Sequence, residues 1–272
     1  MKDQPARFRT LFPERCPVIA MIHVAALPGT PAYGGQMEAV IAQAISEAEL
    51  YRDHGVDGII IENMHDAPYL NRVVGHEIST AVAVIARAVR AVWTGPLGLQ
   101  ILAGANQAAL AAALVAGADF IRAEGFVFGH VADEGWIGSD AGRLLRYRKQ
   151  IGAEHIQIFT DIKKKHSAHA TTADVDLGET ARAAEFFRSD ALIVTGVATG
   201  SPARPEDGQA VRLASHLPVL IGSGINPVIL EAYFPVCDGV IVGSWMKADD
   251  DWRNPPEARR IQTMVDAVRR LR

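Results

Sequence analysis

The chain carries eight short β-branched runs spread along its whole length, each bounded by Gly, Pro or Asp and separated from the next by residues of helical period. The runs are PVIAMIHV (17–24), DGIIIEN (57–63), LGLQIL (97–102), DFIRAE (119–124), IQIFTDI (156–162), ALIVTG (191–196), PVLIGSG (218–224) and DGVIVGS (238–244). Such near-continuous apolar runs suit parallel strands buried on both faces, whereas antiparallel sheets alternate more cleanly. Between them, Met37, Val40, Ile41, Ala44, Ile45, Ala48 and Tyr51 form one helical stripe, with Gly55 as a stop. Ile78, Val82, Ile85, Val89 and Val92 form another, and Ile261, Met264, Val265, Val268 and Leu271 a third. Asp176 with Glu179, and Asn226 before Pro227, have the form of helix starts.

Eight strand-then-helix units predict an α/β fold, either a closed (β/α)8 TIM barrel or a doubly wound sheet. The count of eight favours the barrel, and the first turn, AALPGTPAYGG, lacks the GxGxxG spacing of a dinucleotide fold. A length of 272 residues suits one such barrel, so residues 1–272 are expected to form a single domain with residues 1–16 as an N-terminal extension.

Charge narrows the partners. The net charge is −4 and the basic residues are scattered, which argues against nucleic acid as a ligand. No apolar run reaches the roughly 18 to 20 residues of a membrane span, and residues 1–16 carry Asp3, Glu14 and several arginines in place of a secretory core, so a cytoplasmic protein with no integral membrane segment is expected. Cys16 precedes the first run and Cys237 the last; neither has a CxxC partner, and a reducing compartment favours free thiols over a disulfide.

Barrels of this kind build their sites at the carboxy ends of the strands. Read with period two, His23, Glu62, Gln100, Arg122, Glu124, Asp161 and Lys163 point into the upper barrel. They form either a paired polar plug, with Arg122 against Glu62 or Glu124, or a substrate site, and the two roles are compatible. Asn63 and Thr195, at the ends of strands two and six, join His23, Gln100 and Arg122 as substrate-binding candidates. Strand seven closes on Gly222, Ser223 and Gly224 and strand eight on Gly243 and Ser244, the two turns where phosphate-binding barrels converge backbone NH groups. Glycine there also simply permits tight turns.

Lys163, Lys164 and Lys165 follow strand five beside Asp161 and His166. A buried lysine there can form an imine or neutralise a phosphate, whereas exposed lysines are a solvated run. His65, His76, His130 and His169 also fall near this rim, but without HxH or HExxH spacing, so no metal ligand is assigned; no cofactor is required, and a divalent metal remains open.

MIHVAALPGTPAYGG, ENMHDAPY, GADFIRAEG, ADEGWIGSDAGRLLRYR, TDIKKKH, ALIVTGVATG, PVLIGSGI and DGVIVGSWMK resemble, in order, the BtpA family, which includes the SgcQ-type proteins of sugar operons. The resemblance implies a TIM barrel with a phosphate-type rim. It brings two associations, with photosystem I assembly and with phosphotransfer sugar systems. The sequence departs from the family pattern at AGAN after strand three, RAEG at strand four and TDIKKKH at strand five.

The expected activity is therefore that of an enzyme on a phosphorylated sugar or related metabolite, working by isomerisation, carbon–carbon cleavage or glycosyl-bond cleavage. Glu62, Glu124, Asp161 and His166 are the proton-handling candidates, and Lys163 and Lys165 the amines. A non-catalytic assembly or stability factor for a membrane complex is the alternative, a ligand-sensing barrel a third, and a homo-oligomer is expected by analogy.

Overall fold

The computed structural model describes residues 4–196 and 200–272. The chain opens with α1 (Gln4–Leu11) and continues through β1 (Val18–His23), α2 (Met37–Asp53), β2 (Gly58–Glu62), α3 (His76–Val92), β3 (Leu97–Gln100), α4 (Asn106–Ala116) and β4 (Phe120–Ala123). A hairpin of β5 (His130–Ala132) and β6 (Gly135–Ile137) precedes α5 (Ala141–Gln150) and β7 (Gln157–Ile162). After β8 (Ser167–Ala168) come α6 (Leu177–Phe186), β9 (Ala191–Thr195), α7 (Pro205–Ala214), β10 (Val219–Gly222), α8 (Leu230–Tyr233), β11 (Gly239–Val242) and α9 (Ala258–Leu271).

Eight strands, each inside one of the eight sequence runs, close a parallel barrel in the order β1-β11-β10-β9-β7-β4-β3-β2. β1 completes the ring by pairing with β2 on one side and β11 on the other. Asp57, Asp119, Asp190 and Asp238, each just before a strand, accept from the first amides of the neighbouring strand, Val18, Leu97, Ile158 and Val219. An arginine completes each acid: Arg272, Arg90, Arg148 with Arg7, and Arg212 respectively. This lower rim is thus a repeated ion-paired clasp that fixes strand register.

The barrel interior is apolar below and polar above. Ile19, Met21, Ile60, Phe120, Phe159, Ile193, Leu220 and Ile241 fill the lower layers, with Phe8 and Phe12 of the N-terminal segment closing the bottom. Phe120 and Phe159 stack at 4.5 Å. They fit because Gly98 faces them; a Cβ there would lie 2.3 Å from the Phe120 ring. The N-terminal extension expected from the sequence is therefore largely a helical plug. The second addition is a three-stranded sheet, β6-β5-β8, lying apart from the barrel sheet. Among the described residues no helix is long and apolar enough to cross a membrane.

Candidate active site

Advancing two residues from each inner apolar position reaches the layer above it, because side chains on a strand return to one face with period two. Met21 leads to His23, Ile60 to Glu62, Gly98 to Gln100, Phe120 to Arg122 and Phe159 to Asp161, all buried. On the remaining side Ile193, Leu220 and Ile241 lead to Thr195, Gly222 and Gly243. One half of the ring is therefore polar and the other half small. The mouth between them is lined by His23, Glu62, Arg122, Lys165, the Ser223–Gly224 turn and the Gly243–Ser244 turn. Its free volume, about 40 Å³, is far below the roughly 590 Å³ of the cavity beneath the barrel. Convergence of charge, and not size, marks it as the site.

Arg122 donates through Nε and one Nη to both Asp161 carboxylate oxygens at 2.8 Å, a bidentate pair that locks the guanidinium. Lys164 Nζ donates to Glu124 Oε1 at 3.3 Å, and both groups are buried. His23 Nε2 lies 3.4 Å from Glu62 Oε2, and its Nδ1 lies 3.2 Å from the Trp252 carbonyl. A carbonyl only accepts, so Nδ1 carries the proton and donates. Burial, with Lys247 adding repulsion, holds His23 well below the usual imidazole range, leaving Nε2 as an acceptor. Burial raises Glu62 above the usual carboxylate range against the opposing pull of Arg122 and Lys165. Both shifts favour the uncharged forms, in which a Glu62 carboxyl proton would face His23 Nε2.

Lys165 is pushed below the ordinary amine range by burial first and by Arg122 second. Its backbone amide donates to Thr195 Oγ1 at 3.2 Å, which ties the β7–α6 loop to the end of β9. Thr195 thus anchors this loop. Gly224, at φ +66°, sits beneath the β9–α7 loop, where a Cβ would lie 2.5 Å from the Pro202 nitrogen and 2.6 Å from the Gly200 oxygen. At Gly243 a Cβ would crowd the His23 ring at 3.3 Å.

Other sequence candidates lie outside this convergence. Lys163, expected to point into the barrel, has φ +47° and donates instead to the Thr172 carbonyl on the outer side of the loop. His166 is also left-handed, at φ +53°, and lies outside the mouth lining. Asn63 spends its side-chain amide on structure: Nδ2 donates to Asp66 and Oδ1 accepts from the Leu102 amide. The expected ion partners of Arg122, Glu62 or Glu124, give way to Asp161, because β4 and β7 are direct neighbours. Gln100 is buried with an Oε1 that has no hydrogen-bond partner among the described residues. Gly222 ends β10 below the turn.

The sequence reading missed Lys247 and Trp252. Lys247 is fully buried and donates to Glu47 of α2 at 3.1 Å. Trp252 packs edge-on to His23 and lies 4.9 Å from His65. Both follow β11 in a segment without strand or helix period; the WMK triplet contains Lys247, and no sequence signal marked Trp252. Among the described residues no group of three or more His, Cys, Asp or Glu has metal-binding geometry.

The BtpA family model matches residues 14–270. The chain belongs to the BtpA family. An uncharacterized mitochondrial protein of Caenorhabditis elegans is 48% identical over 260 residues, covering 94% of each chain. The photosystem I biogenesis protein BtpA of Synechocystis is 33% identical over 253 residues, 93% of this chain and 88% of that one. Among solved structures, (S)-3-O-geranylgeranylglyceryl phosphate synthase from Thermoplasma acidophilum, in complex with its substrate sn-glycerol-1-phosphate, superimposes with a TM-score of 0.61 at 14% identity, covering 98% of both chains. At that identity the likeness establishes the TIM-barrel fold of this BtpA-family protein and nothing about its substrate.

Proposed function

We infer that this BtpA-family protein is an enzyme acting on a phosphorylated sugar or related small metabolite. One observation carries the reading: Glu62 and Lys165, an acid and an amine whose proton affinities burial moves toward each other, line the same mouth as the Ser223–Gly224 and Gly243–Ser244 turns. The turns would grip the phosphate through backbone NH groups, with space supplied by the missing side chains. The barrel of similar fold that holds sn-glycerol-1-phosphate is in keeping with this.

In this reading the neutral Lys165 amine adds to the substrate carbonyl carbon. One proton of the added amine passes to the former carbonyl oxygen and Glu62 gives it a second, so that water leaves, and the resulting iminium accepts the electron pair released by isomerisation or carbon–carbon cleavage. Arg122, immobilised by Asp161, would steady anionic oxygens of the substrate. Glu62, left as a carboxylate, recovers its proton from the substrate carbon or hydroxyl beside the iminium, and His23 Nε2 faces it as an acceptor. The test is borohydride reduction in the presence of phosphorylated aldoses and ketoses, followed by peptide mapping. A reduced adduct on Lys165, competed by inorganic phosphate, is expected. Turnover with no lysine adduct would remove the imine and leave acid–base chemistry at Glu62; no turnover and no phosphate competition would remove the enzyme reading.

The Synechocystis relative favours a second reading, an assembly factor for a membrane complex. The 48% identical nematode relative belongs to an organism without photosystems, so a role shared across the family is not specific to that complex. Retention of the chain on membranes, unaffected by Glu62→Gln, would support the assembly role.

A further inference from the structure

At the opposite end of the barrel the chain places a cysteine at each side of its closing seam. Cys16 lies two residues before β1 and Cys237 two before β11, the strands whose pairing closes the ring. Their Sγ atoms are 3.8 Å apart, both are buried and both are free thiols. A cavity of about 590 Å³ beneath the barrel is lined by Cys16 together with Phe8, Phe12, Arg15, His216 and Asp238, so a small solute can approach Cys16 from this side.

We propose that Cys16 and Cys237 form an oxidative modification site, in which a peroxide converts the pair to an intramolecular disulfide that staples the first and last barrel strands. The geometry supports this directly. A disulfide needs S–S near 2.05 Å, about 1.8 Å closer than the present contact, an approach within reach of side-chain rotation. The surroundings divide the roles. The two sulfurs share a hydrogen bond in which either can donate, and this contact together with the guanidinium groups of Arg272 and Arg15 lowers the Cys16 thiol against the opposing effect of burial. Arg272 is fixed there by hydrogen bonds to the Arg15 and Cys16 carbonyls and by Asp57. Cys237 is raised and stays protonated, so Cys16 is the attacking sulfur and Cys237 the resolving one.

The Cys16 thiolate attacks one peroxide oxygen; the O–O bond breaks, hydroxide leaves and takes up a proton as water, and Cys16 becomes a sulfenic acid. Cys237 then gives up its proton and attacks Cys16 Sγ, the S–O bond breaks and a second water departs. Two thiols are oxidised by two electrons and one hydrogen peroxide is reduced to two waters. The cross-link spans nearly the whole chain, the case in which loop-closure entropy gives the largest stabilisation of the native state.

The test treats the full chain with hydrogen peroxide under native conditions. Expected are a mass loss of two hydrogens, a Cys16–Cys237 linked peptide in non-reducing digests of monomeric protein, and a melting temperature higher by about 5 °C or more that dithiothreitol reverses. Cys237→Ser should halt at a dimedone-reactive sulfenic acid on Cys16, and Cys16→Ser should leave Cys237 unoxidised. Intermolecular dimers, over-oxidation of Cys16 in place of a linkage in the parent chain, or a linkage that leaves the melting temperature unchanged would overturn the proposal.

Discussion

Glu62 has its carboxyl in a place where ionisation is disfavoured, and this has separable effects on activity and stability. Glu62→Gln removes the donor and is expected to lower kcat by a factor of about 10² to 10⁴ with little change in KM, measured by steady-state kinetics on any substrate that labels Lys165. Its effect on stability has the opposite sign. Because burial raises the folded pKa of Glu62 above the unfolded value of 4.5, its favourable state is fully present below pH 4.5 and is lost as pH rises through the folded value. Glu62→Gln should therefore melt with the parent near pH 4 and above it at neutral pH; equal melting at both would contradict a buried, proton-retaining Glu62. His130 runs the other way. Burial, with Lys164 and His169 nearby, pushes it down from 6.5 to about 4, and its Nε2 is buried without a partner among the described residues. Its contribution is complete above pH 6.5 and is lost as pH falls to about 4, so His130→Gln should flatten the acid side of the stability profile between those limits. At this scale period-two alternation pointed to His23, Glu62 and Arg122 of the mouth but chose Lys163, which turns to the Thr172 carbonyl, where Lys165 lines the mouth, and it did not supply the partners. Arg122 selects Asp161 because β7, and not β2, lies beside β4, and strand adjacency is not written in either run.

The barrel strands were legible because burial on both faces demands continuous apolar runs, while the elements that escaped are short and mixed. β5, β6 and β8 read HVA, GWI and SA, with most of their residues wholly or partly exposed. The N-terminal segment shows only Phe8 in α1 and Phe12 just after it at i, i+4, too little to distinguish a plug from a tail. What holds the β5–β6 excursion is Arg72, which donates to the Gly104, Glu124, Gly125 and Gly138 carbonyls and lies 3.4 Å from Asp140. Arg72→Ala orphans several carbonyls at once and is expected to cost about 3 kcal/mol in chemical denaturation, with faster amide exchange concentrated in residues 125–138. Unchanged exchange there would show that the hairpin is held by something else. Gly98 makes the complementary point inside the barrel. Gly98→Ala drives a methyl into the Phe120 ring and is expected to destabilise by about 1 to 3 kcal/mol, with Phe120→Leu in the same chain recovering part of the loss.

Across the whole molecule the two rims divide the work. The lower rim carries the four aspartate clasps, the phenylalanine plug and the cysteine pair, while the upper rim carries Glu62 and Lys165, whose ionisation opposes folding. Asp190 is the most heavily used clasp: it accepts from the Ile158 amide and pairs with both Arg7 and Arg148. Asp190→Ala strands a strand amide and two guanidinium groups, one of them largely buried, and is expected to cost about 3 to 5 kcal/mol. Phe12→Ala opens a cavity against Phe8 and Phe120 for a similar loss. Both sites lie on the far side of the apolar layers from Glu62 and Lys165, so the folded fraction of either variant should keep the parent kcat per native molecule and the parent yield of the borohydride adduct on Lys165. Glu62→Gln should show the reverse, native or better stability with activity lost. Loss of activity in Asp190→Ala beyond its unfolded fraction would mean that strand register at the bottom sets side-chain placement at the top, and the barrel would then act as one mechanically coupled unit.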